Sequence, residues 1–177
     1  MAVQIGAKPD SGFDDPLGML KDCHRRIEHF LSILCAVVER AQQRTLTDEE
    51  IVAVQTALSY FRVGGQRHTA DEEESLFPRL IAVGGFAELD QLEHDHAEAN
   101  HVHAEVEGLY QSWISAGSLP ESESNRLLSA TNRLRDLYQA HIQVEDNIVF
   151  PKAAQVLDKN AVEAIGQEFR ARRQQNQ

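Results

Sequence analysis

Two runs of the chain carry metal-binding residue types at matching offsets. One is HTADEEESLFP, from His68 to Pro78, and the other is HIQVEDNIVFP, from His141 to Pro151. In both, a Glu stands four residues after the His (Glu72, Glu145), a second acid stands five after (Glu73, Asp146), and Phe-Pro closes the run. On a helix, residues i and i+4 share a face, so each run points an imidazole and a carboxylate the same way. Burying such a pair is costly unless something satisfies it, and two pairs facing each other would be satisfied by cations between them. Mixed imidazole and carboxylate suits first-row metals such as Fe, Mn or Zn and argues against Ca²⁺.

The elements that would position these runs are helices. Asp14, Asp15 and Pro16 read as a helix start, and the apolar seam Leu17, Leu20, His24, Ile27, Leu31, Leu34, Val38, Ala41 follows in steps of three and four. Thr47 and Glu50 form a capping box ahead of a second seam: Ile51, Val54, Leu58, Phe61, Gly65, His68, Glu72, Leu76. Pro78 is expected to end or bend that helix, and Val83-Gly84-Gly85 to turn the chain. The Gly64-Gly65 pair costs about 1–2 kcal/mol of helix stability, and either allows close helix approach or is merely tolerated. A third helix is expected from Phe86 to about Trp113, then a loop over 115–124. A fourth has the seam Leu127, Thr131, Leu134, Tyr138, His141, Glu145, Ile148 and ends at Pro151, and a shorter fifth covers roughly 161–173.

The third helix holds His94, His96, His101 and His103. His96 keeps the seam Leu89, Leu92, His96, Ala99, His103, Val106, Tyr110, Trp113, whereas His94 and His101 fall off it. Repeat spacing agrees: His24 to His68 spans 44 positions and His96 to His141 spans 45. The candidate metal ligands are therefore His24, His68, Glu72, His96, His141 and Glu145, drawn from four helices as bundles build metal sites. Two Glu, one per half, could bridge two ions while two His terminate each. That pattern points to a dinuclear centre, and oxygen chemistry would point to iron. His103 is kept as a supporting residue or alternative ligand, and Glu73 and Asp146 as hydrogen-bond partners or replacements for their neighbours. Tyr138 reads as core packing or as a hydrogen-bonding group for a bound small molecule. His29, His94 and His101 read as surface residues.

The fold class expected is all-α, an up-down-up-down four-helix bundle with a short extra C-terminal helix. Residues 1–13 read as a flexible lead, 14–152 as the bundle, and 153–177 as a helix packing on it with a basic tail. A chain of 177 residues can bury a substantial core, and its net charge of −11 argues against nucleic acid or an anionic membrane as partner. No apolar run approaches the ~20 residues of a membrane span, and the first residues lack a signal peptide's apolar core. A cytoplasmic location is expected. Cys23 and Cys35, roughly 18 Å apart on one helix, cannot pair within the chain.

The pattern resembles the hemerythrin-like (HHE cation-binding) domains: His24, then His68/Glu72, then His96, then His141/Glu145, over about residues 14–152. The resemblance implies a bundle around two iron ions bridged by Glu72, Glu145 and an oxo or hydroxo group. Oxygen carriers of that family add a second His four residues after the third-helix His, and here that position is Asn100. The chain thus looks more like the four-His members tied to nitric-oxide or oxidative stress, iron–sulfur repair and iron sensing. The expected ligand is O2, NO or peroxide, and any signal is expected to pass through a separate protein partner. The alternatives are a di-iron enzyme reducing peroxide or NO or oxidising Fe(II), an iron donor for cluster repair, and a metal-free interaction bundle.

Overall fold

A computed structural model describes residues 10–41 and 44–174. Among them the chain forms five helices and no strand. Helix α1 is Pro16–Ala41. Helix α2 (48–82) is continuous but changes pitch: Asp48–Tyr60, Gln66–Asp71 and Phe77–Ala82 are α-helical, and Phe61–Gly65 and Glu72–Leu76 are π-helical. Helix α3 is Leu89–Ala116. Helix α4 (121–156) joins Glu121–Val144 and Phe150–Val156 through a π-helical turn, Glu145–Val149. Helix α5 is Lys159–Gln174.

Local chemistry sets several of these boundaries. The Thr47 cap is reciprocal: Glu50 N–H donates to Thr47 Oγ1 at 3.3 Å, and Thr47 N–H donates to Glu50 Oε2 at 2.9 Å. Gly117 stops α3 in the left-handed region at φ 78°, with its N–H donating to Trp113 O. Gly64 makes room within its own helix, because a Cβ there would stand 2.6 Å from the Tyr60 ring.

Pro151 does not end its helix as expected, and Pro78, expected to end or bend its helix, does not end it either. Pro78 and Pro151 lack the N–H of an i→i−4 bond, and their rings crowd the carbonyl four residues back. In both runs the preceding turn widens, so that Phe77 N–H donates to Glu72 O and Phe150 N–H to Glu145 O, each five residues back. The helices then continue to Ala82 and Val156. The extra residue per turn also turns the following side chains. Ile148, expected on the seam, is 36% exposed, while Val149 is fully buried.

Helices α1 to α4 each pack on the next, and α1 closes the ring against α4. Apolar residues form two bodies. One, from Ile27 to Ala41 on α1 with Leu58, Val106, Tyr110, Trp113 and Leu134, fills one end of the bundle. The other joins Leu20, Leu76, Phe77, Leu92, Val149 and Phe150 to Ile165 and Phe169 of α5 at the opposite end. Burying Ile165 and Phe169 favours docking of α5 by ~1.5–3 kcal/mol each. Between the two apolar bodies lies a layer of buried polar side chains.

The expected flexible lead falls partly outside the described residues, since 1–9 are not among them. Residues 10–13 lie on the bundle: Arg26 reaches Asp10 at 2.6 Å, and Phe13 lies under the Arg170 guanidinium, 5.0 Å from it. Residues 175–177 of the expected tail are likewise outside the described set. Among the described residues no helix is long and apolar enough to cross a membrane.

Candidate metal centre

All six sequence-predicted side chains meet in the polar layer. His24 comes from α1, His68 and Glu72 from α2, His96 from α3, and His141 and Glu145 from α4, and all six are buried. Their donor atoms fall into two overlapping clusters. His24, His68, Glu72 and Glu145 offer atoms within 4.8 Å of one another, and so do Glu72, His96, His141 and Glu145. Both glutamates belong to both clusters. The Glu72 carboxylate spans them, with Oε1 3.4 Å from His68 Nε2 and Oε2 3.3 Å from His96 Nε2. Glu145 Oε2 stands 3.0 Å from His24 Nε2 and 3.2 Å from His141 Nε2.

These distances do not describe a hydrogen-bonded core. His24 Nε2 and both oxygens of Glu72 and of Glu145 are buried without a hydrogen-bond partner in suitable geometry. Orphaned buried acceptors of this kind each cost about 1–3 kcal/mol, and natural cores leave few of them. His96 Nε2 and His141 Nε2 lie within hydrogen-bond reach at 3.1 Å, and the other atoms converge on common points without such a bond. Two donors each ~2.1 Å from one ion and at right angles about it stand ~3 Å apart, which is the spacing seen here. The residues present therefore fit cations.

Electrostatics agrees. Burial and the charge of Glu145 push the Glu72 carboxyl well above its ordinary range, since two buried carboxylates face each other. Burial also holds His68 well below the usual imidazole value, so the ring is neutral and one nitrogen keeps its lone pair free. Burial opposes protonation of His24 and His141, but Asp146 and Glu145 around the first, and Glu145 and Glu72 around the second, outweigh it and draw both values up. Positive charge is wanted at the middle of the layer, whether from protons or from metal ions.

The remaining motif residues support the imidazoles, and they do so symmetrically across the two halves. Glu73 Oε1 stands 2.8 Å from His96 Nδ1, and Asp146 Oδ1 stands 3.0 Å from His24 Nδ1. Phe77 stacks on His96 at 6.2 Å, and Phe150 stacks on His24 at 5.4 Å. Taking α1–α2 and α3–α4 as the two helix hairpins, each run thus sends its Glu to the cluster, its next acid to Nδ1 of a His on the other hairpin, and its Phe onto that same ring. A carboxylate on Nδ1 fixes the tautomer that leaves Nε2 as donor to a metal. Which neighbour each acid and Phe would serve was not readable from the runs alone.

His103 stays outside both clusters; its Nε2 lies 3.1 Å from the Tyr138 hydroxyl. Desolvation lowers His103 to about 4, so its ring is neutral. Tyr138 accordingly has a polar partner in addition to its packing. His29, His94 and His101 are exposed. Cys23 and Cys35 are buried and unpaired.

Comparison with known proteins puts a family beside this geometry. The model of the hemerythrin HHE cation-binding domain matches residues 15–153, most of the chain and all six buried candidates. An uncharacterized protein of Haemophilus influenzae is 25% identical over 169 residues, covering 92% of both chains.

Proposed function

The chain belongs to the hemerythrin HHE cation-binding family, and from that premise we propose that it holds two iron ions and binds a small ligand, O2, NO or peroxide, in sensing or in protection against oxidative and nitrosative stress. His24 and His68 would hold one ion and His96 and His141 the other, with Glu72 and Glu145 available to both. The observation that carries this reading is the sharing itself: two clusters of four donors have two carboxylates in common. A single-ion site would need only one cluster. Iron supplies redox chemistry and affinity for diatomic molecules that Zn²⁺ and Mg²⁺ lack.

The chain's own residues do the rest. Asp146 and Glu73 hold His24 and His96 with Nε2 turned inward. The apolar bodies on both sides exclude bulk water and keep the layer at low dielectric. Each cluster offers two imidazoles and two carboxylates, which would hold the ion to which an incoming molecule binds. Asn100, on the exposed side of α3, adds no imidazole to the second cluster.

The test is metal content per chain after air-free purification, followed by absorption spectra on adding O2 and then NO. Two irons per chain with irreversible oxidation or NO uptake support the reading. A stable, reversible O2 band would make the protein a carrier, and one metal or none would overturn the dinuclear assignment. Turnover with an added electron donor would place the same centre in an enzyme.

A further inference from the structure

Of the four helix pairs that close the ring, α2 and α3 meet least closely, and a groove of about 360 Å³ lies between them. Its walls include Phe61, Gln66 and Ala70 from α2 and Asn100, His103 and Ala104 from α3. It stops one side chain short of the centre. Glu73 lines the groove, its Oε1 is 2.8 Å from His96 Nδ1, and the other nitrogen of that ring is 3.3 Å from Glu72. His103 of the wall reaches the Tyr138 hydroxyl at 3.1 Å, and Tyr138 stands one turn before His141 on α4.

Three carboxylates line this groove, Glu73, Glu74 and Glu107, against two guanidiniums: Arg62 in its wall pairs with Glu107 at 3.4 Å, and Arg172 of α5 pairs with Glu74 at 3.1 Å, which leaves one carboxylate in excess. A wall of net negative charge in a partly enclosed space repels anions and leaves neutral molecules unaffected.

We propose that the α2–α3 groove is the route by which the small ligand reaches the centre, and that it favours neutral molecules such as O2, NO or hydrogen peroxide over anions. This rests on the proposed function, because it names the path to that same centre. The alternative, diffusion through fluctuations spread over the whole bundle, would give no privileged position and no charge discrimination.

A plug in a route leaves equilibrium untouched, since whatever slows arrival slows escape equally. Ala104 is an exposed groove residue on α3, so Ala104→Trp fills the groove without disturbing either apolar body. With air-free, iron-loaded protein and NO as probe, Ala104→Trp should slow association and dissociation together, about tenfold each, with Kd unchanged. Glu107→Gln removes one carboxylate and should speed association of azide about twofold at low salt while leaving NO association as it was. An unchanged NO association rate in Ala104→Trp overturns the route. Equal acceleration of azide and NO, or of neither, by Glu107→Gln overturns the charge selection. Wild-type protein that holds two irons yet takes up neither probe overturns the proposed function, a result separable from failure of the route alone.

Discussion

Asp71 sits immediately before Glu72 and is fully buried, and its partners come from the far end of the chain. Arg172 Nη1 and Arg173 Nη1 both donate to its Oδ1, and Arg173 Nη2 donates to its Oδ2 at 2.6 Å. Arg172 also donates to Ser75 Oγ at 3.1 Å, so α5 grips the π-helical turn that begins at Glu72. Burial still pushes the Asp71 carboxyl above its ordinary value despite Arg173 and Arg172, which means that the carboxylate depends on both cations. Replacing them together, Arg172→Gln with Arg173→Gln, leaves a buried charge without a partner, at a cost of about 3–5 kcal/mol. For a chain of this size that is a fall in Tm of roughly 6–20 °C. Asp71→Asn added to the same chain removes the stranded charge and should restore most of the loss, because unpaired neutral groups cost less. Denaturant unfolding of metal-free protein at pH 7 measures all three chains. The folded-state value of Asp71 lies above the unfolded one, so its ionisation opposes folding as pH rises. The defect in the double variant should therefore shrink toward pH 5. A loss below about 1 kcal/mol, or no recovery on adding Asp71→Asn, would refute a clamp based on charge.

Three further outcomes are expected. His96→Ala should reduce metal content from two ions to one or none, while His94→Ala, at an exposed position, should keep both; elemental analysis decides, and the reverse result would overturn the choice of His96. Glu73→Gln and Asp146→Asn should weaken metal binding about 10–100-fold by releasing the His96 and His24 rings, measured by competition with a chelator, whereas Glu72→Gln or Glu145→Gln should damage both ions. His103 is held at about 4, below the ordinary value of 6.5, by burial. Its contribution to stability is thus fully present above pH 6.5 and is lost as pH falls toward 4. His103→Gln in metal-free protein should flatten the pH dependence relative to wild type by up to about 3 kcal/mol, and identical slopes between pH 7 and 4.5 would count against a buried neutral ring.

The helices, the bundle and the six converging residues were legible because each depends on periodicity. Seam positions in steps of three and four put His24, His68, His96 and His141 on inner faces, and repeat spacing separated His96 from His94. What periodicity could not supply is where the period itself changes. Pro78 and Pro151 look like helix ends because an α-helix cannot satisfy the carbonyl four residues before a proline. A wider turn placed before each proline lets the helix go on instead. That choice moved Ile148 out and Val149 in, and carried α4 to Val156. The partners of Glu73 and Asp146 were hidden for a related reason: an acid at i+5 lies beside the i+4 face, so its partner depends on how the neighbouring helix is set. The same holds for Phe77 and Phe150, whose stacking on His96 and His24 needs the two hairpins in place. The Asp71 clamp lay further out of reach, since nothing local links Asp71 to Arg172 and Arg173. Yet all of these act on the same two turns. Each begins at a shared glutamate, is closed by Phe-Pro, and delivers an acid and a ring to an imidazole of the other hairpin. The recurrence of the run is therefore more than a duplication of ligands. It repeats a backbone device that can aim Glu, acid and Phe at once, and an α-helix of uniform pitch would not hold all three in those directions.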